Sequence, residues 1–182
     1  MPINKYLFTF TDDELVASRN CLDSRNEFHS KYKSSTERTV CPTDLNKDWQ
    51  SILSELAVAK FLGVQYNYAI VPDAKRYDVG DCVEVRSSLH ERGHLIVYEY
   101  DNKPGAYVFT TVNLNEPTVT ICGWRDLVDC RLDKYWRTTP QVRKESWWIP
   151  QTDLHDMKSL KKQLVLSWHK ISWTTMSMLQ HG

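Results

Sequence analysis

The chain has 182 residues with 23 basic and 23 acidic side chains, so its formal net charge is zero. That balance removes the bulk signature of a polyanion binder, and an aromatic share of 12%, with seven tryptophans, argues against disorder. The length suits one domain around a single core.

Charge is nevertheless uneven along the chain. Residues 1–124 carry 17 acids against 13 bases, whereas residues 125–182 carry 6 against 10. The C-terminal third is therefore the better surface for a polyanion, and the acidic excess upstream suits a cation. Five cysteines (21, 41, 82, 122 and 130) form no CxxC pair and leave one over from any full pairing, so reduced thiols are expected. There is no basic start followed by an apolar signal-peptide run, and no stretch of about 18 apolar residues. A soluble cytoplasmic protein without membrane association is the expectation.

Thr11-Asp-Asp-Glu14 has the spacing of a capping box and opens an expected helix over 11–31, with Leu15, Cys21 or Leu22 and Phe28 on its apolar side. Residues 32–42 are polar and end at Pro42, which reads as a loop. A second helix runs from about Thr43: Trp49, Ile52, Leu53, Leu56 and Ala59 keep helical spacing, and Gly63 is placed to end it. Glu55 lies at the border of that buried stripe. After Gly63 the period becomes two, and Val64–Ile70, Cys82–Ser88, His94–Tyr100, Ala106–Val112 and Val119–Trp124 read as strands.

The most informative stretch is Asp78-Val-Gly-Asp-Cys-Val-Glu84-Val-Arg86. Side chains alternate along a strand, so Glu84 and Arg86 share one face while Val83 and Val85 enter a core. Asp78, just before the Gly80 turn, can converge with Glu84 on one divalent ion. Asp81 is a turn residue or an alternative ligand. The plainer reading is a surface hairpin with a solvated ion pair.

His90-Glu91-Arg-Gly-His94 fits the HExxH string of zinc peptidases, but that chemistry needs both imidazoles on one helical face. Lying between strands and containing Gly93, it reads better as a hairpin loop. Asn102-Lys-Pro-Gly105 is a turn signal expected to join an antiparallel hairpin. A short helix near Arg125–Leu132 follows, then a helix from Thr152 or Asp153. Arg131, Lys134, Arg137, Arg143 and Lys144 around Trp136 suit a phosphate backbone and unpaired bases, although a solvated basic face is the commoner meaning. Trp147-Trp148-Ile149-Pro150 is expected against the sheet, with Gln151 capping or touching the site. The strand tyrosines, including Tyr98, Tyr100 and Tyr107, read as core or sheet-face residues. No GxSxG and no glycine-rich phosphate loop occurs.

Glu55 in a helix, then Asp78, then Glu84-Val-Arg86 in a strand, resembles the PD-(D/E)XK nuclease superfamily, in particular its small phage and bacterial members. The resemblance spans about Leu53 to Leu154. It implies an α+β, restriction-endonuclease-like fold with helices on a mostly antiparallel or mixed five-stranded sheet. One domain would cover 1–161, with its core at 43–154 and an appended extension at 162–182. By the same resemblance Asp78 and Glu84 hold Mg²⁺ or Mn²⁺, Glu55 completes the site, and the activity is phosphodiester hydrolysis of nucleic acid, DNA first. Pairing into a homodimer to cut both strands and residence in a host cytoplasm, if phage-encoded, belong to the same picture. Arg86 departs from the superfamily's usual Lys. A guanidinium stays protonated and cannot act as base, so a catalytically inactive nucleic-acid-binding or assembly protein of the same fold is the alternative, with a zinc peptidase behind it.

Overall fold

The Thr11 capping box forms as its spacing implies. Glu14 N donates to Thr11 Oγ1 at 3.2 Å and Thr11 N donates to Glu14 Oε2 at 2.9 Å, satisfying donors that a first helical turn leaves open. Helix α1 (Asp12–Tyr32) starts there. The computed structural model describes residues 4–32, 45–68, 76–138 and 145–166. Residues 33–42 of the expected loop, Cys41 and the tail after 166 lie outside them, as do residues 69 and 70 of the first expected strand.

Helix α2 (Leu45–Leu62) buries Ile52, Leu53, Ala57 and Val58 completely. Full burial of one large apolar side chain contributes about 1.5–3 kcal/mol, so this face fixes the helix. Gly63 ends it at φ +79°, and the N–H groups of Gly63 and Val64 donate to the Ala59 carbonyl at 2.9 and 3.0 Å. A residue with a Cβ adopts that φ only under strain, which is why glycine closes the helix. Trp49 Nε1 donates to Ser18 Oγ at 3.0 Å and locks α1 to α2.

Among the described residues the strands are β1 (Tyr6–Thr9), β2 (Val83–Ser88), β3 (Leu95–Tyr98), β4 (Ala106–Asn113), β5 (Thr118–Asp126), β6 (Trp136–Arg137) and β7 (Ser146–Ile149). They form a four-stranded sheet, β1-β5-β4-β2, and a three-stranded sheet, β3-β7-β6. In the larger sheet β2 and β4 are parallel and the other pairs antiparallel. The protein is thus α+β with mixed sheets, although the expected single five-stranded sheet is replaced by four strands plus three.

Three layers result. Ala106, Val108 and Val112 of β4 pack with α1, α2 and helix α4 (157–166), whose Met157 and Leu160 are buried. Tyr107 and Phe109 pack the opposite way, with Leu95, Val97 and Ile149 of the smaller sheet. β4 is covered on both faces, which explains why Ala-Tyr-Val-Phe shows no polar alternation.

Other expectations change in detail. Residues 64–68 form no strand, and β3 pairs with β7 rather than with β4, so Asn102–Gly105 does not close a hairpin. The helix near Arg125–Leu132 is a single turn, α3 (Leu127–Cys130), capped by Asp126, whose side chain accepts from Val128 N. At Gln151–Asp153 there is a 3₁₀ turn, and α4 runs through residue 161, where the domain was expected to stop. β1, β6 and β7 have no counterpart among the expected strands. The four described cysteines are free thiols, and Cys130, buried, is pushed up to about 12. No described helix is long and apolar enough to cross a membrane.

Candidate functional site

β2 is an edge strand, and its sequence does what alternation requires. Val83 is buried and Val85 packs beside it in the cluster shared with α2, so Glu84 and Arg86 project from the other face, towards the smaller sheet. Glu84 is only 5% exposed. On the open edge of β2 the Val85 N–H finds a partner in Asp78 Oδ2 at 2.7 Å. Asp78 therefore sits at the sheet margin, held there by the turn whose Val79 bridges back to Val83.

The loop entering β4 completes the cluster. Parallel register sets Val83 beside Ala106, which brings the residues just before β4 alongside Glu84. Lys103 Nζ donates to Glu84 Oε1 at 2.6 Å. Arg86 Nη1 lies 3.4 Å from Glu84 Oε2, and Arg86 Nη2 donates to Asp101 Oδ1 at 3.0 Å. Asp101 Oδ2 in turn accepts from Tyr98 N at 2.9 Å, pinning the loop. Gly105, at φ +129°, lets this loop press on the start of β2; a Cβ there would collide with the Cys82 carbonyl. Among the described residues, the chain of contacts Lys103–Glu84–Arg86–Asp101, with Asp78 beside it, joins three carboxylates and two cations, and Arg131 lies against the Asp101 carbonyl.

Burial first, and neighbouring negative charge second, register in the titration of both acids. Burial raises the Asp78 carboxyl above its ordinary value and the charge of Glu55 adds to it; the Val85 N–H, Arg86 and Lys103 offset only part. Burial also raises Glu84, with Asp78 next in importance, against the pull of Lys103 and Arg86. Burial works against the Arg86 charge, yet Asp101, Glu84 and Asp78 together push its pKa up. Asp78 Oδ2 is engaged, whereas Oδ1 accepts no hydrogen bond from the described residues.

Asp78, Glu84 and Arg86 are thus brought together as their spacing suggested. Glu55 comes close enough for its charge to raise the Asp78 carboxyl, but its own hydrogen bonds lie in the helical layer, where Arg25 Nη2 donates to its Oε2 at 2.9 Å and Tyr66 OH donates to the same oxygen at 2.7 Å. Glu55 is 8% exposed, and its charge is matched by Arg25 across α1 and α2. Among the described residues no three His, Cys, Asp or Glu side chains form a group able to hold a metal ion, so the expected three-acid set reduces to a pair.

The basic stretch divides. Arg131 turns inward, donating to the backbone carbonyls of Glu99 and Asp101 at 3.1 and 2.5 Å, with its guanidinium 5.3 Å from the Trp147 ring centroid. It braces the site loop. Lys134, with a side chain 59% exposed, pairs with Asp153 at 3.1 Å. Arg137 is exposed and donates to the carbonyls of Lys134 and Trp136. Arg143 and Lys144 lie outside the described residues.

His90 to His94 forms a turn between β2 and β3, with Gly93 N donating to His90 O at 2.8 Å. Gln151 Nε2 caps it, donating to the Glu91 and Gly93 carbonyls at 2.8 and 3.0 Å. The helical display required by HExxH chemistry is absent there, and the zinc peptidase reading falls.

Lys103 and Asp101 are the site residues the sequence did not reveal. Their signal is the parallel register of β2 and β4, and an assumed β3–β4 hairpin hides it. No family model, no curated protein and no solved structure matches the chain.

Proposed function

We propose that this chain is a metal-dependent phosphodiesterase acting on nucleic acid, built on a restriction-endonuclease-like core, with Asp78, Glu84, Arg86 and Lys103 as its working residues. The observation that carries the proposal is the cluster of Asp78, Glu84 and Asp101, in which burial raises the Asp78 and Glu84 carboxyls despite the pull of Arg86 and Lys103. Burying net charge is costly unless something offsets it. A hydrated Mg²⁺ needs only one or two carboxylates, so Asp78 and Glu84 are a sufficient donor pair, and oxygen donors favour Mg²⁺ or Mn²⁺ over softer ions.

Such an ion, once bound, supplies polarisation of the scissile phosphate and a more acidic water. The chain's own residues do the rest. Arg86 stays protonated and orients a phosphate oxygen without taking a proton. A carboxylate oxygen of Asp78 or Glu84 left free by the ion would accept the proton of an attacking water. The water oxygen bonds to phosphorus in line with the departing ester oxygen, which takes a proton from solvent. Cutting both strands would take two copies, and a linear rather than nicked plasmid product reports it.

One observation favours the non-catalytic alternative: both Glu84 oxygens already face cations, Lys103 and Arg86. A plasmid and a single-stranded oligonucleotide with Mn²⁺ separate the readings. A phosphodiesterase should give cutting that EDTA abolishes and that falls about 100-fold or more in Asp78→Asn and Glu84→Gln. Salt-sensitive binding without turnover, weakened by Lys134→Ala/Arg137→Ala, would favour the alternative.

A further inference from the structure

Glu84 faces a conflict if it serves a divalent ion. Its Oε1 lies 2.6 Å from Lys103 Nζ, a charge-assisted hydrogen bond in a half-buried cluster. An ammonium and a divalent ion cannot share one oxygen lone-pair region at contact distance without strong repulsion. Lys103 also has somewhere to go. Its Nζ already donates to the Arg76 carbonyl and lies 5.5 Å from the Tyr77 ring centroid, and its side chain is 22% exposed, so withdrawing from Glu84 leaves it a carbonyl, an aromatic face and water. Arg86 has no such freedom, because Asp101 anchors its other nitrogen at 3.0 Å.

We propose that Lys103 is the exchangeable cation of this site: its ammonium fills the seat on Glu84 Oε1 and must vacate it for a divalent ion, so lysine and metal compete. This rests on the preceding reading of Asp78 and Glu84 as a cation pair. It sets the site's affinity for divalent ions, because every binding event displaces an intramolecular partner. The released ammonium stays at the rim, beside Arg76 and Tyr77, where an anionic ligand would meet it.

Calorimetric titration of Mn²⁺ into the intact wild-type chain and into Lys103→Met and Lys103→Arg tests this. Losing a charge-assisted hydrogen bond as competitor corresponds to about tenfold or more in affinity. Lys103→Met should bind Mn²⁺ at least that much more tightly than wild type, and Lys103→Arg, which keeps the charge, should stay near wild type. Binding by Lys103→Met where wild type binds too weakly to measure supports the proposal equally. Wild-type binding with equal or weaker binding in Lys103→Met overturns the competition while leaving the metal site standing. No binding in any of the three overturns both. If Lys103→Met fails to fold without metal, Lys103→Gln replaces it, with the same expected direction.

Discussion

Replacing Glu55 by Gln tells Glu55 apart from Asp78 and Glu84, the three acids that the sequence pattern groups as one site. Glu55 is an ion-pair partner in the helical layer: Arg25 and Tyr66 both donate to Oε2, and Arg25 Nη2 also donates to Tyr66 OH at 3.1 Å. The amide introduced by Glu55→Gln keeps one acceptor oxygen but turns an NH₂ group towards a guanidinium whose Nε already lacks a partner. Removing one member of a buried pair typically costs 3–5 kcal/mol, because the remaining charge is stranded. In a chain of this length each kcal/mol moves the melting temperature by about 2–4 °C, so Glu55→Gln should melt about 6–20 °C below wild type. The assay is thermal unfolding followed by circular dichroism, with and without Mn²⁺. A companion variant, Arg25→Met/Glu55→Leu, removes both charges and should recover much of the loss, giving a large coupling in the double-mutant cycle. Glu55→Gln melting within 2 °C of wild type while abolishing Mn²⁺ binding would refute this account. Glu55 would then be a ligand, and its pairing with Arg25 incidental.

Asp78→Asn should stabilise the protein by about 1 kcal/mol near neutral pH, a gain typical of neutralising an uncompensated functional group, since Asn Oδ1 can still accept from Val85 N. Its pH dependence follows from the raised pKa values of Asp78 and Glu84. An acid whose folded pKa lies above its unfolded value favours folding most when protonated, below the ordinary carboxylate range, and loses that contribution as pH rises through the folded value. The melting-temperature advantage of Asp78→Asn over wild type should therefore be absent near pH 3.5 and grow towards pH 7; an advantage that shrinks over that interval would contradict the assignment. Gly105→Ala should cost more than 1 kcal/mol in urea unfolding, because the added Cβ meets the Cys82 carbonyl. His90→Ala and His94→Ala should each leave stability within about 0.5 kcal/mol, as expected of surface positions, and the purified protein should carry no stoichiometric zinc.

Local chemistry made the helical side of this fold readable. The Thr11–Glu14 box, the apolar stripe of α2 and the Gly63 stop each depend on residues within one or two turns of one another, and each forms. The alternation of Val83, Glu84, Val85 and Arg86 was equally legible, because a strand with one core face leaves no choice of side. Long-range pairing was not. Tyr6–Thr9 is only four residues long and gains its identity from Thr118–Ile121, far along the chain. The tryptophans at 147 and 148 looked like side chains lying on a sheet, yet they form a strand of their own between β3 and β6. Asp78 and Glu84 converge because one turn joins them, whereas Glu55 had a rival cation, Arg25, on another helix. Helical spacing alone contains no information about that rival. Lys103 stayed hidden for the complementary reason: only the parallel register of β2 with β4 brings it to Glu84.

Counting bound Mn²⁺ by electron paramagnetic resonance in wild type, Asp78→Asn and Glu84→Gln tests the central claim most directly, because it reads the cation without requiring turnover. One Mn²⁺ per wild-type chain is predicted, with a large loss of affinity in each variant and all three proteins folded. A wild-type chain that leaves the Mn²⁺ signal unchanged, or one whose bound Mn²⁺ survives both substitutions, would contradict it.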